Sequence, residues 1–509
     1  GAVDIARLRF WLALIVDEDH PHALPNMDFK IMQGNSLLEQ YEGVELSGMS
    51  FDEQRKKKGK KGDQIQFSIE FDEKGSLDNI QQYINDYYNT DNHDKKVTLR
   101  NDINSSIKNY ILHLKGCTPD IQSKIQNLPI PNDKFFLWHI YFKEVFDKGG
   151  FDIVIGNPPY VRPHNLSSEY KELLWKNFST FEKKADLYVC FIQNGIQLTN
   201  EKGILSYIVS DGWLRLDSFE SIRKYILQNT SVRQIIDFSE DVFSAATVKT
   251  CIFQFVSTRT RENQIKVSEI SNAACLQNLI FKNIPQNIYI NNHKFVFDLS
   301  YDDTSFELKK KIEKNSIKLG DRFELSFGLK TGDDKKFVTF SNDNPFSKRL
   351  LRGADINRYT YSFKGEYVIY DPIAMRDNKK TARPGNSERF EQPKILIRDT
   401  GGCLMGTFDD ENYYVKDVIV ISDKNKNEEI LKNLIAVLNS KMMKYYYEST
   451  FPTLHVQRDE LSVLPIHKRL LENPSMNIVK LLNCILSAKK ANPEADTTEL
   501  ESEIDRIVY

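Results

Sequence analysis

The sequence lacks the features that would place it in several specialised classes of protein. Its six cysteines include no C-x-x-C pair, which argues against a zinc site or a disulfide framework and fits a reducing compartment. No apolar run reaches the roughly 18 residues of a membrane span, and no basic-apolar-small pattern opens the chain. We therefore expect a cytoplasmic protein that has no membrane segment and no metal site.

The charge balance and the size set further limits. Lys and Arg (69) nearly equal Asp and Glu (71), so a polyanion-binding surface would have to come from local clustering of cations. The chain has 509 residues, about three times the size of an ordinary domain. Its 31 Phe, 23 Tyr and 4 Trp are enough for large cores and too many for a disordered chain. We expect two or more globular units.

Strand and helix patterns alternate through the first half of the chain, which is typical of an α/β unit with a mostly parallel sheet. Residues 44–130 are polar and we interpret them as an insertion. Their basic run, 55–61, could touch DNA phosphates, but a solvated loop is the favoured interpretation. The predicted elements are helix 1–16, strand 29–36, strand 151–156, helix 181–200, strand 204–210, helix 218–228, and strands 232–238 and 250–256.

From about residue 320, short strands punctuated by glycine and aromatic residues predict a second, β-rich domain of α+β type. The predicted elements there are strands 323–329, 367–370, 394–398 and 413–421, helix 429–447 and a polar helical tail. The resulting domain prediction is an α/β domain at 1–258, a connector at 259–318, a second domain at 319–468 and a helical segment at 469–509.

The sharpest chemical pattern is Asn157-Pro158-Pro159-Tyr160, which ends the apolar strand 151–156. Ligands of open α/β sheets bind at the carboxyl ends of strands. The residue types suit the methylation of an exocyclic amine such as adenine N6. This nitrogen is a poor nucleophile, because its lone pair is delocalised into the ring. The Asn157 side-chain oxygen and the Pro158 carbonyl could accept its two hydrogens, and Tyr160 could stack on the extracted base. The alternative is a strand-terminating Pro-Pro turn, which we consider weaker because the tetrapeptide is rare by chance.

Residues 135–161 resemble the gamma-class N6-adenine DNA methyltransferases, in particular the large methylases of type IIG restriction-modification enzymes. Asp186-Leu187-Tyr188 and the segment 210–214 resemble later motifs of that family. The resemblance implies a Rossmann-like class I methyltransferase domain that uses S-adenosylmethionine and flips adenine out of the duplex.

The same resemblance assigns further site residues. Many family members have Asp where Asn35 stands here, and an amide can still accept a hydrogen bond from the cofactor's amino group. A second base-stacking aromatic falls at Phe255, with Phe253 as the nearby choice and core packing as the alternative role of both. The implied cofactor contacts are Asn35, Ser36, Leu37, Asn157 and Pro159.

Short segments of the second domain resemble TaqI-like target-recognition domains: 327–333, 351–359, 438–442 and 461–466. Residues 344–398 contain 12 Lys and Arg against 6 Asp and Glu, a local excess suited to double-stranded DNA. For any single cation an ordinary surface charge is an equal alternative. The candidate DNA contacts are Lys330, Arg352, Arg358, Lys379, Lys380 and Arg398.

The family's Gly-rich cofactor loop, its acidic ribose-binding residue and a nuclease pattern are missing from this sequence. The resemblance therefore implies an internal part of a larger restriction-modification enzyme, in which Mg²⁺ would serve only a nuclease domain outside this chain. We expect a monomeric, site-specific DNA adenine-N6 methyltransferase with its recognition domain. The alternatives are a non-catalytic DNA specificity module and an amino-methyltransferase acting on protein glutamine or RNA.

Overall fold

The structure is a computed structural model whose chain divides into two compact units, residues 1–297 and 298–509. The residues that the structure describes are 1–16, 27–41, 44–46, 73–114, 117–128, 136–182, 184–240, 242, 248–401, 403–451, 455–472 and 474–509. In these ranges no helix is both long and apolar enough to cross a membrane.

The first unit alternates helices and strands, as the sequence predicts. Its helices are Ala2–Val16 (α1), Glu73–Asn89 (α2), His93–Leu112 (α3), Pro119–Gln126 (α4), Trp138–Tyr141 (α5), Lys143–Asp147 (α6), Ser168–Asn177 (α7), Tyr188–Leu198 (α8), Gly212–Arg215 (α9) and Glu220–Asn229 (α10). Its strands are Gln40–Tyr41 (β1), Val44–Glu45 (β2), Phe151–Gly156 (β3), Thr199–Ser210 (β4), Ser231–Phe238 (β5), Thr250–Val256 (β6), Gln264–Ile270 (β7) and Lys282–Pro285 (β8).

Six of these strands form one mixed sheet in the order β3-β4-β6-β5-β7-β8. β3 runs parallel to β4 and β5 runs parallel to β7, whereas β6 is antiparallel to both β4 and β5. The strands β3, β4, β5 and β7 therefore all point the same way, and their carboxyl ends lie along one edge of the sheet. The amino end of β6 lies at that same edge.

The predicted connector, 259–318, is corrected by the structure, because β7 and β8 fall inside it and complete the sheet of the first unit. Ile265, Val267 and Ile284 of these strands are fully buried. The alternation of these apolar residues with polar ones is the period-two pattern of a sheet strand with one covered face. The first unit therefore continues to Phe297.

β3 lies at the edge of the sheet and, among the described residues, pairs only with β4. Ile153 is 67% exposed and Ile155 is 80% exposed. Apolar side chains on an unpaired edge strand are unusual, since such an edge is a template for pairing with another chain.

Helix α8 packs closely on β4. The predicted helix 181–200 is shorter in the structure at both ends: it begins only at Tyr188, and β4 already begins at Thr199. A Cβ atom on Gly195 would lie 2.6 Å from Leu205 Cδ1 and 2.8 Å from the Tyr207 hydroxyl oxygen. Glycine therefore allows the helix to approach the strand at this point.

The region interpreted as an insertion has a small helical core of its own. Ile80 of α2 packs with Ile103 and Ile107 of α3, together with Val44 and Leu46. The predicted strand 29–36 is instead a turn, in which Phe29 has a positive φ of 60°. The basic run 55–61 lies outside the described residues.

The second unit is built from short strands flanked by helices. Its helices are Asp303–Glu313 (α11), Leu319–Arg322 (α12), Asp334–Phe337 (α13), Pro372–Asn378 (α14), Glu428–Leu438 (α15), Lys441–Thr450 (α16), Arg458–Ser462 (α17), Lys468–Glu472 (α18), Met476–Ala491 (α19) and Thr498–Val508 (α20). Its strands are Ser316–Lys318 (β9), Glu324–Phe327 (β10), Val338–Thr339 (β11), Ser347–Arg352 (β12), Ile356–Asn357 (β13), Thr360–Tyr361 (β14), Tyr367–Ile369 (β15), Lys394–Arg398 (β16), Gly406–Asp409 (β17), Tyr414–Lys416 (β18), Val418–Ser422 (β19) and Pro465–His467 (β20).

Two four-stranded sheets, β10-β19-β16-β17 and β11-β15-β12-β18, carry the core of this unit. The predicted strand 413–421 is divided between them, since Asp417 has a positive φ of 57° and turns the chain from one sheet to the other. A non-glycine residue in this backbone region is uncommon, and the sequence pattern does not reveal it.

The predicted helix 429–447 is also divided, into α15 and α16. The Asn439 side chain accepts a hydrogen bond from the Gly406 N–H (3.0 Å) and donates one to the Gly406 carbonyl (2.9 Å). Ser440 then caps α16 by accepting from the Met443 N–H at 3.2 Å. The predicted polar tail consists of α19 and α20, which bury Leu482 and Ile504 in the core of the unit.

Candidate active site

The carboxyl ends of the parallel strands of the first unit bring together the residues with the clearest chemistry. Asn157-Pro158-Pro159-Tyr160 follows β3, Asp211 follows β4, and Asp237 lies near the end of β5. This edge of an open α/β sheet is where ligands bind, since helix and loop ends converge there. The sequence predicted this location for the 157–160 segment.

The 157–160 segment presents its side chains unequally. Asn157 and Pro159 are exposed, Pro158 is buried and Tyr160 is half-buried. The Tyr160 hydroxyl donates a hydrogen bond to the Ile208 carbonyl of β4 at 3.2 Å. Burial raises the pKa of Tyr160 to about 12, so the phenol is neutral at physiological pH. The segment thus has a fixed ring beside an accessible amide.

The Asp186-Leu187-Tyr188 segment borders this loop. The Leu187 N–H donates to the Val161 carbonyl at 2.9 Å, which joins the two segments through the backbone. The Tyr188 ring meets the Tyr160 ring edge-on, with centroids 6.1 Å apart. Burial raises the pKa of Asp186, against the opposing effect of Arg162 and His164.

An acidic cluster around Arg215 is the feature of this edge that sequence reasoning missed. Arg215 Nη2 lies 3.2 Å from Asp237 Oδ2, and Nη1 lies 4.0 Å from Asp211 Oδ2. Burial raises the pKa of Asp237 to about 6, and it also raises the pKa of Asp211. Asp237 Oδ1 is buried and has no hydrogen-bond partner among the described residues. The sequence signal that could have revealed this cluster is an acidic residue at the carboxyl end of each of two successive strands, Asp211 after β4 and Asp237 in β5.

Arg223 holds the segment that follows β4. This fully buried side chain donates from Nη1 to the carbonyls of Trp213 and Leu216, both at 2.8 Å. Nε donates to the Lys294 carbonyl at 2.9 Å. A buried guanidinium requires such acceptors, because desolvation penalises its charge. These bonds fix the backbone that carries Asp211 and Arg215.

The segment implied to contact the cofactor lies beside helix α7, which follows the 157–160 loop. Asn35 Nδ2 donates to the Tyr170 hydroxyl at 2.9 Å, and Asn35 Oδ1 accepts from the Leu37 N–H at 3.1 Å. The Ser36 carbonyl accepts from Trp138 Nε1 at 2.9 Å and from Asn194 Nδ2 at 3.0 Å. The turn is therefore held in one conformation, and Leu37 is buried.

The two aromatic candidates of β6 lie in the core. Phe253 and Phe255 are both fully buried, and their rings stack with centroids 4.0 Å apart. Trp213 packs edge-on against both, at 5.8 Å and 5.9 Å. Neither ring offers an open face to a base in this structure, so of the two roles weighed from the sequence, the geometry favours core packing.

The candidate DNA contacts of the second unit differ in their surroundings. Arg352 Nε lies 2.6 Å from Glu366 Oε2, and Arg358 Nη1 lies 3.1 Å from Glu501 Oε2. These two guanidinium groups are therefore occupied by internal ion pairs. Arg398 is half-buried and its Nε donates to Thr400 Oγ1 at 3.3 Å. Lys330, Lys379 and Lys380 are exposed.

Within the described parts of the chain, no group of three or more His, Cys, Asp or Glu side chains is placed to hold a metal ion. The acidic pair at Arg215 has only two carboxylates, and a guanidinium occupies the position between them.

Two family models match the chain. The first, described as Eco57I restriction-modification methylase, matches residues 1–243. The second, described as TaqI-like C-terminal specificity domain, matches residues 348–466. Each match falls within one of the two structural units.

The chain is also similar to individual proteins. A putative type II restriction enzyme and methyltransferase of Methanocaldococcus jannaschii is 24% identical, over 100% of this chain and 47% of that protein. The type II methyltransferase M.HindII of Haemophilus influenzae is 27% identical, over 61% of this chain and 73% of that protein. The type IIL restriction-modification enzyme MmeI, solved with DNA, aligns weakly, with a TM-score of 0.44 and 13% identity over 79% of this chain and 60% of that chain. The chain thus spans about half the length of the archaeal relative.

Proposed function

We propose that this chain, which joins an Eco57I-type restriction-modification methylase domain to a TaqI-like specificity domain, methylates adenine N6 at specific sites in double-stranded DNA. The observation that carries the proposal is the position of Asn157-Pro158-Pro159-Tyr160. This segment lies at the ligand-binding edge of the sheet, with the Asn157 amide exposed and the Tyr160 ring fixed.

The chemistry assigned to this segment follows from its hydrogen-bonding groups. The Asn157 side-chain oxygen and the Pro158 carbonyl accept the two N6 hydrogens of a flipped adenine, which favours a pyramidal, more nucleophilic nitrogen. Proline has a fixed φ, so the Pro158 carbonyl keeps its direction. The Tyr160 ring, held by its bond to Ile208, stacks on the extracted base.

The turn at Asn35–Leu37 fits the adenine end of S-adenosylmethionine, which when bound would supply the electrophilic methyl group; the Gly-rich loop and the acidic residue that the family uses for the rest of the cofactor are missing from this sequence. Asn35 Oδ1 uses one lone pair for the Leu37 N–H and keeps a second for an amino group of the ligand. Trp138 and Asn194 hold the Ser36 carbonyl beside it, and Leu37 is held by its N–H bond to Asn35. We assign Asn157 and Pro159 to the same ligand, in a Rossmann-like class I domain.

The second unit is assigned the reading of the DNA sequence. Its match to a specificity domain and the cation excess of residues 344–398 support this role. Phosphate contacts set the affinity and the register of such a complex, while base contacts set its sequence.

The test of the proposal is methyl transfer from labelled S-adenosylmethionine to duplex DNA, to RNA and to a glutamine-containing protein substrate. The full 509-residue chain and a form extended to the length of its archaeal relative are both assayed. We expect Asn157→Ala to abolish transfer to DNA while duplex binding stays intact. The matched control is Asn165→Ala, which alters another exposed asparagine eight residues downstream.

Normal turnover by the Asn157→Ala protein would refute the assigned chemistry. Transfer to RNA or protein in preference to DNA would refute the substrate class. Cofactor binding, measured by calorimetric titration, separates a methyltransferase from a specificity module that only binds DNA.

A further inference from the structure

A basic groove of the second unit lies apart from the arginines that are occupied by ion pairs. Its volume is about 630 Å³, a size typical of binding clefts. It lies between strand β10, the loop that follows α14, and the start of α17. β10 is an edge strand and, among the described strands, pairs only with β19.

The lining of this groove is strongly cationic. Arg376, Lys380, Arg383, Arg389 and Arg458 all line it, and no Asp or Glu is among the described lining residues. Arg458 pairs with its exposed neighbour Asp459 at 3.2 Å, but no carboxylate within the described ranges forms an ion pair with any of the other four. The charge of the groove is therefore largely uncompensated, in contrast to that of Arg352 and Arg358.

The loop after α14 carries Lys380, Arg383 and Arg389, and hydrogen bonds within the loop and to neighbouring elements hold it in place. Arg383 Nη1 donates to the carbonyls of Lys380 (2.8 Å) and Ala382 (2.7 Å). The backbones of Lys330 and Arg383 exchange two hydrogen bonds, at 2.9 Å and 2.8 Å. The Tyr370 hydroxyl donates to the Gly385 carbonyl at 3.0 Å. Lys380, Arg383 and Arg389 are thus presented on a preorganised loop, which reduces the entropy lost on binding.

An aromatic ring completes the groove. Phe327 of β10 is 49% exposed, and the Arg458 guanidinium lies 5.5 Å from its ring centroid. An exposed aromatic side chain in a groove that also holds four cations without an ion pair suits a ligand with both an anionic and an apolar part. A sugar–phosphate backbone has this combination, whereas an inorganic anion has only the charge.

We propose that this groove binds the sugar–phosphate backbone of the target DNA duplex. In this assignment Arg376, Lys380 and Arg383 contact phosphates, and the Phe327 ring packs against a deoxyribose. The proposal rests on the proposed function, because it names where the recognition unit contacts its DNA. Of the six candidates from the sequence it keeps Lys380, and it adds Arg376 of α14 and Arg383 of the loop that follows.

The test is the salt dependence of duplex binding by the full chain, measured by fluorescence anisotropy without cofactor. Each phosphate contact contributes about 0.9 to the slope of log K against log salt concentration. We expect the double variant Arg376→Gln/Lys380→Gln to reduce the slope by about 1.8 and to weaken binding to unrelated sequences equally. The double variant Arg469→Gln/Lys424→Gln, which removes an exposed arginine and an exposed lysine outside the groove, is the matched control.

A second variant tests the proposed apolar contact between the Phe327 ring and a deoxyribose. Phe327→Ala should weaken binding without changing the salt slope, because no charge is removed. Near-ultraviolet circular dichroism of each variant verifies that the second unit keeps its native packing. Inorganic pyrophosphate is added as a competitor, and we expect it to displace DNA only at concentrations that act through general ionic strength.

Several results would overturn the proposal. These are an unchanged slope in the groove variant, an equal loss of slope in the control variant, no duplex binding by the wild-type chain, and saturable competition by pyrophosphate.

The test of the groove is also independent of the methylation chemistry. If Asn157→Ala loses methyl transfer while the groove variant binds normally, the groove assignment fails and the proposed function stands. If Asn157→Ala retains methyl transfer while the groove variant shows the reduced salt slope, the proposed methylation chemistry fails and the groove assignment stands.

Discussion

The pair formed by Lys394 and Asp409 is the most deeply buried ion pair among the described residues, and its removal makes a quantitative test of the second unit. Both side chains have 0% exposure, and Lys394 Nζ lies 2.6 Å from Asp409 Oδ2. The two residues face each other across the β16–β17 pair. Burial lowers the pKa of Lys394, because desolvation penalises the ammonium group.

Asp409 also holds the backbone that follows β17. Its Oδ1 accepts from the Glu411 N–H at 2.9 Å, and its Oδ2 accepts from the Tyr413 N–H at 3.1 Å. Asp409→Ala would leave a buried ammonium group whose remaining partners are chiefly carbonyls, such as that of Phe390 at 2.5 Å. Breaking a buried pair in this way costs about 3–5 kcal/mol of unfolding free energy.

The expected pattern includes a rescue. The double variant Lys394→Met/Asp409→Asn removes the stranded charge and keeps an acceptor, so we expect it to regain at least about half of the loss. In urea, a loss of 3–5 kcal/mol corresponds to a midpoint lowered by about 1–2 M.

The distribution of tryptophan allows the two units to be followed separately. All four Trp residues lie in the first unit, so Trp fluorescence reports its unfolding alone. Far-ultraviolet circular dichroism reports the unfolding of both units. A transition that appears in circular dichroism but not in Trp fluorescence therefore belongs to the second unit. The reasoning would be refuted if Asp409→Ala costs less than about 1 kcal/mol, if the double variant is no more stable than the single one, or if the Trp transition shifts equally.

Three further predictions concern the first unit. Burial raises the pKa of Asp237 to about 6, so the folded protein holds this proton more tightly than the unfolded chain does. The resulting contribution to the free energy of unfolding is at most about 3 kcal/mol. It is fully present below the ordinary pKa of an aspartate and is lost as the pH rises through 6. Asp237→Asn should therefore flatten the pH dependence of urea unfolding followed by Trp fluorescence, and an unchanged pH profile would contradict this. We expect a monomer at low concentration, and at high concentration an exposed apolar edge strand should cause self-association that Ile155→Lys removes by charging the edge; identical sedimentation of both proteins at high concentration in analytical ultracentrifugation would count against this. Arg223→Met should cost about 2–4 kcal/mol in the same urea assay, because the carbonyls of Trp213 and Leu216 lose their buried donor, and a loss within the error of the assay would contradict that role.

Elements with long, regular patterns were predicted well, and elements divided by a single residue were not. The strand at 151–156 has the predicted bounds, because its apolar run and the following prolines are local features. The predicted helix 429–447 divides at Asn439, whose side chain bonds a glycine 33 residues earlier in the chain. No local pattern contains that partner.

The connector shows a similar limit. Residues 264–270 and 282–285 are short and partly polar, so their pattern alone does not distinguish sheet strands from a linker. They form strands because β5 offers a parallel edge, which is a property of the folded sheet.

The sequence alone determined the class of each unit and the position of Asn157-Pro158-Pro159-Tyr160 after a strand. These follow from local propensities and the fixed geometry of proline, which act over a few residues. Only the tertiary structure decided which charges are free. Arg352 and Arg358 are paired with Glu366 and Glu501, which lie 14 and 143 residues further along the chain. Four cations of the groove, Arg376, Lys380, Arg383 and Arg389, form no ion pair among the described residues. The physical reason is that a side chain's charge is compensated by its neighbours in space, and the fold sets which residues become neighbours.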